Sequence, residues 1–325
     1  MIKVENLKKI YETKVSKGFF KSEKVYLEAV KNICMEIEKG KIIGLLGING
    51  AGKTTTIKML STLLLPTSGN ITVDGIDAIK NPMMVKRKIN MVAGGERMIY
   101  WRLTGRENLW YYGQIYGIEN KVLSKRIDEL LKLVGITEKQ NIPVENYSKG
   151  MKQRLQIARG LINNPDYIFM DEPTLGLDAL IAKELRQHVK KIACEEGKGI
   201  LLTSHYMAEI EELCDYVYIL NKGEVIEKGT PKELATLGLK NKTIYLEIEK
   251  ISECTYEKLY NACRMLDNSV VIEQYNKENA FTITSSIDLK LTLSKLCMNN
   301  KVAILKLYEE EPKLEDAIIR FAKEA

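Results

Sequence analysis

Residues 41–54 read Lys41-Ile-Ile-Gly-Leu-Leu-Gly47-Ile48-Asn49-Gly50-Ala51-Gly52-Lys53-Thr54. An apolar run that ends in glycines is the pattern of a buried strand. The octet from Gly47 fits G-x-x-x-x-G-K-[ST]. It follows a strand and opens a helix, predicted over Thr54–Leu65 and stopped by Pro66, which is the context the motif requires. Its glycines let successive backbone N–H groups turn inward on phosphate oxygens, and the helix N-terminus adds a positive dipole end. Lys53 supplies a point charge for the β- and γ-phosphates of a nucleotide. The Thr54 hydroxyl is placed to bind Mg²⁺. The predicted nucleotide contacts are Gly47, Ile48, Asn49, Gly50, Ala51, Gly52, Lys53, Thr54 and Thr55.

A phosphate loop of this kind needs a carboxylate partner. Tyr167-Ile-Phe-Met-Asp171-Glu172 is an apolar strand ending in two acids. Such a strand delivers Asp171 to its C-terminal edge, where open α/β sheets bind ligands. Asp171 is read as holding the Mg²⁺ through water, and Glu172 as polarising the attacking water.

Working outward, strands alternate with helices. Strands are read at Ile2–Leu7 and Ile200–Thr203, and a hairpin over 70–80 turning at Asp74-Gly75. Helices are read at Glu107–Tyr116, Lys121–Val134, Met151–Ile162 and Leu180–Glu196. The alternation predicts a parallel α/β sheet with a helical insert over about 96–164. The pattern changes near residue 240. Strands at 243–249, 269–274, 279–284 and 302–308 and helices at 255–265 and 287–299 give β-α-β-β-α-β, the ferredoxin-like order, with one more helix closing the chain. Two domains are therefore expected, 1–235 and 240–325.

The 325 residues, 45% hydrophobic and 28% charged, suit two globular cores. The net charge of +6 demands neither nucleic acid nor membrane. No apolar run approaches the ~20 residues that cross a bilayer. The chain is expected to be soluble and made in the cytosol, with any membrane role supplied by a partner. Its six cysteines, Cys34, Cys194, Cys214, Cys254, Cys263 and Cys297, form no CxxC pair and read as reduced thiols. With two histidines in the chain, no zinc site is expected.

Asn146-Tyr-Ser148-Lys149-Gly150-Met151-Lys-Gln-Arg154 then makes the reading specific. It resembles the signature sequence of ATP-binding-cassette (ABC) proteins, usually Leu-Ser-Gly-Gly-Gln. Ser148 and Gly150 match; Tyr147, Lys149 and Met151 depart. By itself the segment reads as a serine cap before an amphipathic helix. Glu172-Pro-Thr-Leu-Gly-Leu-Asp178 is similar to the loop that carries the family's dimer-contacting aspartate. Leu201-Leu-Thr-Ser-His205 is similar to its switch strand, and His205 falls at the spacing from Asp171 that the family leads one to expect. Tyr11 matches the aromatic on which the family stacks adenine, with Tyr26 competing across the basic stretch Lys14–Lys24. The family's usual glutamine before the helical insert is absent from Met91-Val-Ala-Gly-Gly-Glu96-Arg97; Glu96 is its stand-in as a Mg²⁺ contact.

The resemblance covers roughly residues 1–235. It implies a P-loop ATPase cassette: a parallel core sheet, antiparallel N-terminal strands and a helical insert. It implies ATP and Mg²⁺ as ligands, with Glu172 and His205 catalytic. It also implies head-to-tail pairing with a second copy or paralogue, whose Ser148, Lys149, Gly150 and Met151 close over the nucleotide. The remaining segment, ending Glu311-Pro-Lys-Leu-Glu-Asp-Ala-Ile-Ile, resembles the accessory C-terminal domain of bacterial exporter ATPases. The implied function is hydrolysis of ATP to drive export through a separate membrane permease, with the chain peripheral on the inner face of the cell membrane.

The aromatic residues Tyr100, Trp101, Trp110, Tyr111, Tyr112 and Tyr116 suit either the insert's core or a permease helix. Leu103-Thr-Gly-Arg-Glu-Asn108 is similar to the exporter-type docking stretch. The basic stretch, with Phe19-Phe20, reads as a solvated hairpin extension or a contact for anionic lipid. Two other readings keep the ATP switch: a soluble ABC ATPase acting on nucleic acid or ribosomes, and a membrane-associated sensor. One cassette and no heptad run favour transport, with no nucleic-acid partner expected. The cargo is not legible in the sequence.

Overall fold

The computed structural model describes residues 1–16, 22–93, 98–237, 242–249, 253–274, 279–310 and 313–324. Within these the chain runs through β1 (Ile2–Ser16), β2 (Ser22–Ile37), β3 (Ile42–Gly47), α1 (Lys53–Leu60), β4 (Ser68–Val73), β5 (Ile76–Asp77), α2 (Pro82–Lys86) and β6 (Ile89–Ala93). The helices α3 (Gly105–Ile115), α4 (Asn120–Leu133) and α5 (Lys149–Gly160) follow. Then come β7 (Tyr167–Asp171), α6 (Ala179–Cys194), β8 (Gly199–Thr203), α7 (Met207–Leu213), β9 (Tyr216–Asn221), β10 (Glu224–Gly229) and α8 (Pro231–Leu237). The last elements are β11 (Lys242–Ile248), α9 (Glu253–Leu266), β12 (Val271–Gln274), β13 (Ala280–Ser285), α10 (Lys290–Asn299), β14 (Ile304–Glu309) and α11 (Leu314–Glu324).

The chain divides into two compact units. One comprises Met1–Leu234 with Phe321–Ala325, and the other Ala235–Arg320. In the first, a six-stranded sheet has the order β10-β9-β3-β8-β7-β6. Its strands are parallel from β9 through β6, and β10 pairs antiparallel to β9. All of β8 and nearly all of β3 and β7 are buried, so these strands read as continuous apolar runs. A second sheet, β2-β1-β4-β5, is antiparallel throughout. Its alternating Ile2, Val4, Ile71 and Val73 pack with Leu45, Phe169 and Leu201 of the parallel sheet in one core.

One predicted helix ends early. The helix after the phosphate loop stops at Leu60, short of Leu65. Thr62 adopts a left-handed φ of 58°, its N–H donates to the Met59 carbonyl, and the Leu63 N–H reaches back to Lys58. That is the hydrogen-bond pattern of a Schellman stop, with threonine where glycine is usual. The basic stretch extends the β1–β2 hairpin, as the first of its two readings has it. Antiparallel pairing of β1 with β2 continues to Ser16 and Ser22, and Phe19-Phe20 lies outside the described residues.

Between β6 and β7 stand α3, α4 and α5. Thr104 and Glu107 form a capping box that starts α3. In α4, Leu123, Ile127, Leu130 and Leu131 form the buried stripe. The second unit is a four-stranded antiparallel sheet, β12-β13-β11-β14, with α9 and α10 as the crossovers. That is the ferredoxin-like arrangement. Leu246, Ile283, Leu293 and Cys297 belong to its separate core.

Asp74, in the turn between β4 and β5, joins the two sheets of the first unit. Its carboxylate binds Lys88 at 2.8 Å, the Tyr167 hydroxyl at 2.7 Å and the Met1 ammonium at 2.6 Å. Partial burial pushes this carboxyl up, but the hydrogen bonds from Lys88, the ammonium and Tyr167 outweigh it and hold it well below the usual carboxylate range. A depressed carboxyl stabilises the fold above its unfolded value, about pH 4, and loses that contribution as pH falls through the folded one. Asn also tolerates the left-handed φ of 49° at this position. Asp74→Asn should therefore cost about 1–2 kcal/mol at pH 7. The deficit should shrink toward zero below about pH 4 in urea unfolding curves.

Candidate functional site

The C-terminal ends of β3, β7 and β8 are neighbours, so Gly47, Asp171 and Thr203 end at one edge of the sheet. The phosphate loop leaves from Gly47 with φ 149°, and a Cβ there would lie 2.3 Å from the Leu220 carbonyl oxygen. Gly52 stands at φ 103°, and a Cβ would meet the Ala29 carbonyl oxygen at 2.6 Å. The loop is thus clasped between β2 and the end of β9, and glycine is required for both conformation and space.

Lys53, largely buried, folds over the loop and donates to the carbonyls of Gly47 at 2.6 Å and Ile48 at 3.2 Å. Burial lowers its ammonium pKa, while the nearby Glu172 and Asp171 carboxylates pull it back up. Ile48, Asn49, Gly50 and Thr54 are exposed, Gly52 and Thr55 are half-buried, and Ala51 is buried.

Asp171 closes β7 opposite Thr203 of β8. The Thr203 hydroxyl donates to Asp171 Oδ1 at 2.7 Å, and the Thr203 hydroxyl oxygen itself accepts from the Glu172 N–H at 3.1 Å. Glu172 has a left-handed φ of 53°, a conformation that costs energy in a non-glycine residue and gathers at functional sites. The turn brings Glu172 Oε1 to 2.6 Å from His205 Nε2. Lys53, the adjacent Asp171 and Glu172, and His205 therefore come from three separate stretches of chain to one place.

Asp171 Oδ2 accepts no hydrogen bond among the described residues, and the Thr54 hydroxyl is exposed at the start of α1. Both are hard oxygen donors, and they fit Mg²⁺. Glu96 lies outside the described residues.

Ser148 is not joined to the phosphate loop by any hydrogen bond among the described residues. It caps α5, its hydroxyl oxygen accepting from the Met151 N–H at 3.2 Å. The hydroxyl stays exposed, so its proton is available to an outside acceptor. Lys149 is exposed and Met151 half-buried. Gly150 is pressed on α6, where a Cβ would lie 2.6 Å from Ile181 Cδ1. Asp178 caps α6 by accepting from the Ile181 N–H at 3.0 Å. The starts of α5 and α6 thus share one surface.

Tyr11 lies on β1 opposite Leu27, and Tyr26 opposite Glu12. Alternation puts the two tyrosines on opposite faces of the hairpin, so one of them alone can face a given base.

Sequence reading missed three contributors. Thr203 reads in the sequence only as strand, although a threonine two residues before the histidine is a usable signal. Glu209 lies on α7, a seven-residue helix too short for a periodicity signal. Arg159, at the end of α5, is buried, bonds the Met91 carbonyl and lies 5.3 Å over the Tyr112 ring. It borders a 490 Å³ groove with Met83, Met91, Ile115 and Tyr116.

A sequence model described as "ABC transporter" matches residues 30–175. The ABC transporter ATP-binding protein NatA of Bacillus subtilis is 43% identical over 66% of this chain and 87% of its own length. The linearmycin resistance ATP-binding protein LnrL of the same organism is 35% identical over 97% of this chain and 96% of its own. The bacitracin transport ATP-binding protein BcrA of Bacillus licheniformis is 34% identical over 90% and 92% respectively. Among solved structures, a dimeric ATP-binding cassette bound to ADP and phosphate matches with a TM-score of 0.61 and 27% identity, over 71% of this chain and 98% of that one.

The glycine contacts set a test. Gly52→Ala should weaken binding of a fluorescent nucleotide at least about tenfold, since backbone strain of this kind costs ~1–3 kcal/mol. An affinity within about twofold of the parent would show that the loop accommodates the methyl group.

Proposed function

Because the chain belongs to the family of ABC-transporter ATP-binding proteins, we propose that it powers export through a separate membrane permease, with Glu172 and His205 as its hydrolytic pair. It is an ATP-binding and ATP-hydrolysing transporter subunit. The observation that carries the finer reading is the 2.6 Å contact of Glu172 with His205 beside Lys53.

In this reading the backbone N–H groups of the phosphate loop and Lys53 bind the phosphates, and Lys53 exchanges its loop carbonyls for phosphate oxygens. Thr54 and Asp171 would hold a Mg²⁺, whose charge would offset that of the phosphates. Glu172 polarises the attacking water, and His205 orients Glu172 and contacts the γ-phosphate. Either Tyr11 or Tyr26 stacks on adenine, which is typically worth ~1–3 kcal/mol.

ABC ATP-binding proteins dimerise, and the cassette solved with ADP and phosphate is dimeric. We assign Ser148 and Gly150 of a second copy, or of a paralogue, to the γ-phosphate of the first. The shared surface of the α5 and α6 starts then forms the facing side, with Asp178 at the contact. ATP favours the closed pair, and hydrolysis releases it.

No helix among the described residues is long and apolar enough to cross a membrane. The force is passed to a permease at the cytoplasmic face. The groove beside Arg159 supports this docking site: Met83 and Ile115 are exposed there, and the exposed Tyr100 and Tyr111, in ring contact with the groove's Tyr112, extend the apolar surface. Export is favoured because relatives covering nearly the whole chain serve linearmycin resistance and bacitracin transport. The second unit, which shows no catalytic constellation among the described residues, is assigned an accessory role.

Glu172→Gln should keep ATP affinity but cut turnover at least about a hundredfold, read by phosphate release. The same variant, purified with ATP from detergent-solubilised host membranes, should bring down a polytopic membrane protein in stoichiometric amount. Adding Ile115→Glu should abolish that co-purification without changing ATP binding. Recovery of only ribosomal or other soluble partners would instead establish the non-transport switch.

A further inference from the structure

Glu209, near the start of α7, is the one buried acidic side chain among the described residues, with 3% of its surface exposed. One oxygen, Oε2, accepts from the hydroxyls of both Thr174, at 2.9 Å, and Ser204. Those two side chains are also buried. The other oxygen, Oε1, has no hydrogen-bond partner among the described residues. The cation whose field reaches Glu209, Arg186, is bound to Glu212 at 2.7 Å. Burial pushes the Glu209 carboxyl up, while the two hydroxyls hold it partly back.

An incompletely paired buried carboxylate is an expensive way to fill space, because an apolar side chain of similar volume would pack there at lower cost. Its position gives the reason. The hydrogen-bonded ladder between β7 and β8 ends at Asp171 and Thr203, with one further bond from the Glu172 N–H to the Thr203 carbonyl. Past that point the two chains separate into loops. Thr174 lies two residues beyond Glu172, and Ser204 lies directly before His205. Glu209 Oε2 is the bridge that continues the ladder from outside the sheet.

We propose that Glu209 is a positioning residue for hydrolysis, tying the loop that leaves Glu172 to the loop that carries His205 so that their side chains meet. The inference rests on the assignment of Glu172 and His205 given above. It adds a route of communication. The chain from Thr174 leads to Asp178 at the start of α6, so a displacement there reaches His205 through one carboxylate oxygen.

The test uses the full-length chain and measures kcat and KM for ATP together with thermal stability. Glu209→Met should lower kcat about tenfold to a hundredfold, the cost of a small misplacement of reacting groups, with KM within about threefold and the melting temperature retained. Glu209→Gln, which keeps an acceptor oxygen, should restore most of the rate. Thr174→Val and Ser204→Ala should each lower kcat, and neither should add its full effect to Glu209→Met. These two variants carry the test if Glu209→Met does not fold.

The proposal is overturned if kcat stays within about threefold, or if kcat, KM and melting temperature fall together without rescue by Gln. Glu172→Gln run in parallel separates the two levels. Loss of turnover there with an active Glu209→Met sinks the present inference alone. Retained turnover in Glu172→Gln sinks the site assignment beneath it.

Discussion

The N–H of Glu172 is held at 3.1 Å by both the carbonyl and the hydroxyl oxygen of Thr203, while that hydroxyl gives its proton to Asp171. This one residue at the end of β8 orients two consecutive acids, the last of β7 and the one after it, in different directions. Asp171 stays in the sheet register, with one oxygen bound and the other left for a cation. Glu172 is turned through a left-handed φ toward His205. The strain of that turn persists because the hydrogen bonds on either side over-determine it. The parallel register of β7 with β8 and of β8 with β3 then fixes how far these acids lie from the phosphate loop. A one-residue slip in either ladder would send Asp171 to the opposite face.

Several charged side chains of the first unit are buried, and each is tied to neighbouring chain. Lys53 is bound to its own loop carbonyls, Glu209 to two hydroxyls, and Arg159 to a strand carbonyl and an aromatic ring. Neutral partners of this kind satisfy donors and acceptors but cancel no charge. Such groups remain responsive to an arriving ion. For Lys53 that ion is a phosphate, which replaces weak carbonyl acceptors with strong charged ones.

The starts of α5 and α6 illustrate how one residue serves two purposes. Ser148 and Asp178 both act as N-caps, which alone would account for their residue types. Each cap uses an acceptor oxygen and leaves the side chain on the surface. Ser148 keeps its proton for another acceptor, and Gly150 lets α5 pack closely on Ile181 of α6. Helix starts also carry positive potential, which suits a phosphate held between two copies.

The sequence alone determined the class of the protein and most of its chemistry. The phosphate loop, the acids ending β7, the signature segment and the histidine after β8 are local patterns, each set by neighbours within a few residues. The ferredoxin-like order after residue 240 was legible for the same reason, since strand and helix periodicities are local. The tertiary structure decided what depends on distant partners. The stop after Leu60 uses a left-handed threonine instead of glycine, so no residue type announced it. The roles of Thr203 and Glu209 exist only because β7 and β8 lie side by side, bringing residues more than 30 positions apart into hydrogen-bond range. The choice between Tyr11 and Tyr26 likewise became a question of hairpin faces once the register was known. Composition and spacing specify which groups a chain possesses. Strand pairing, a long-range contact that no local pattern encodes, specifies which of them meet.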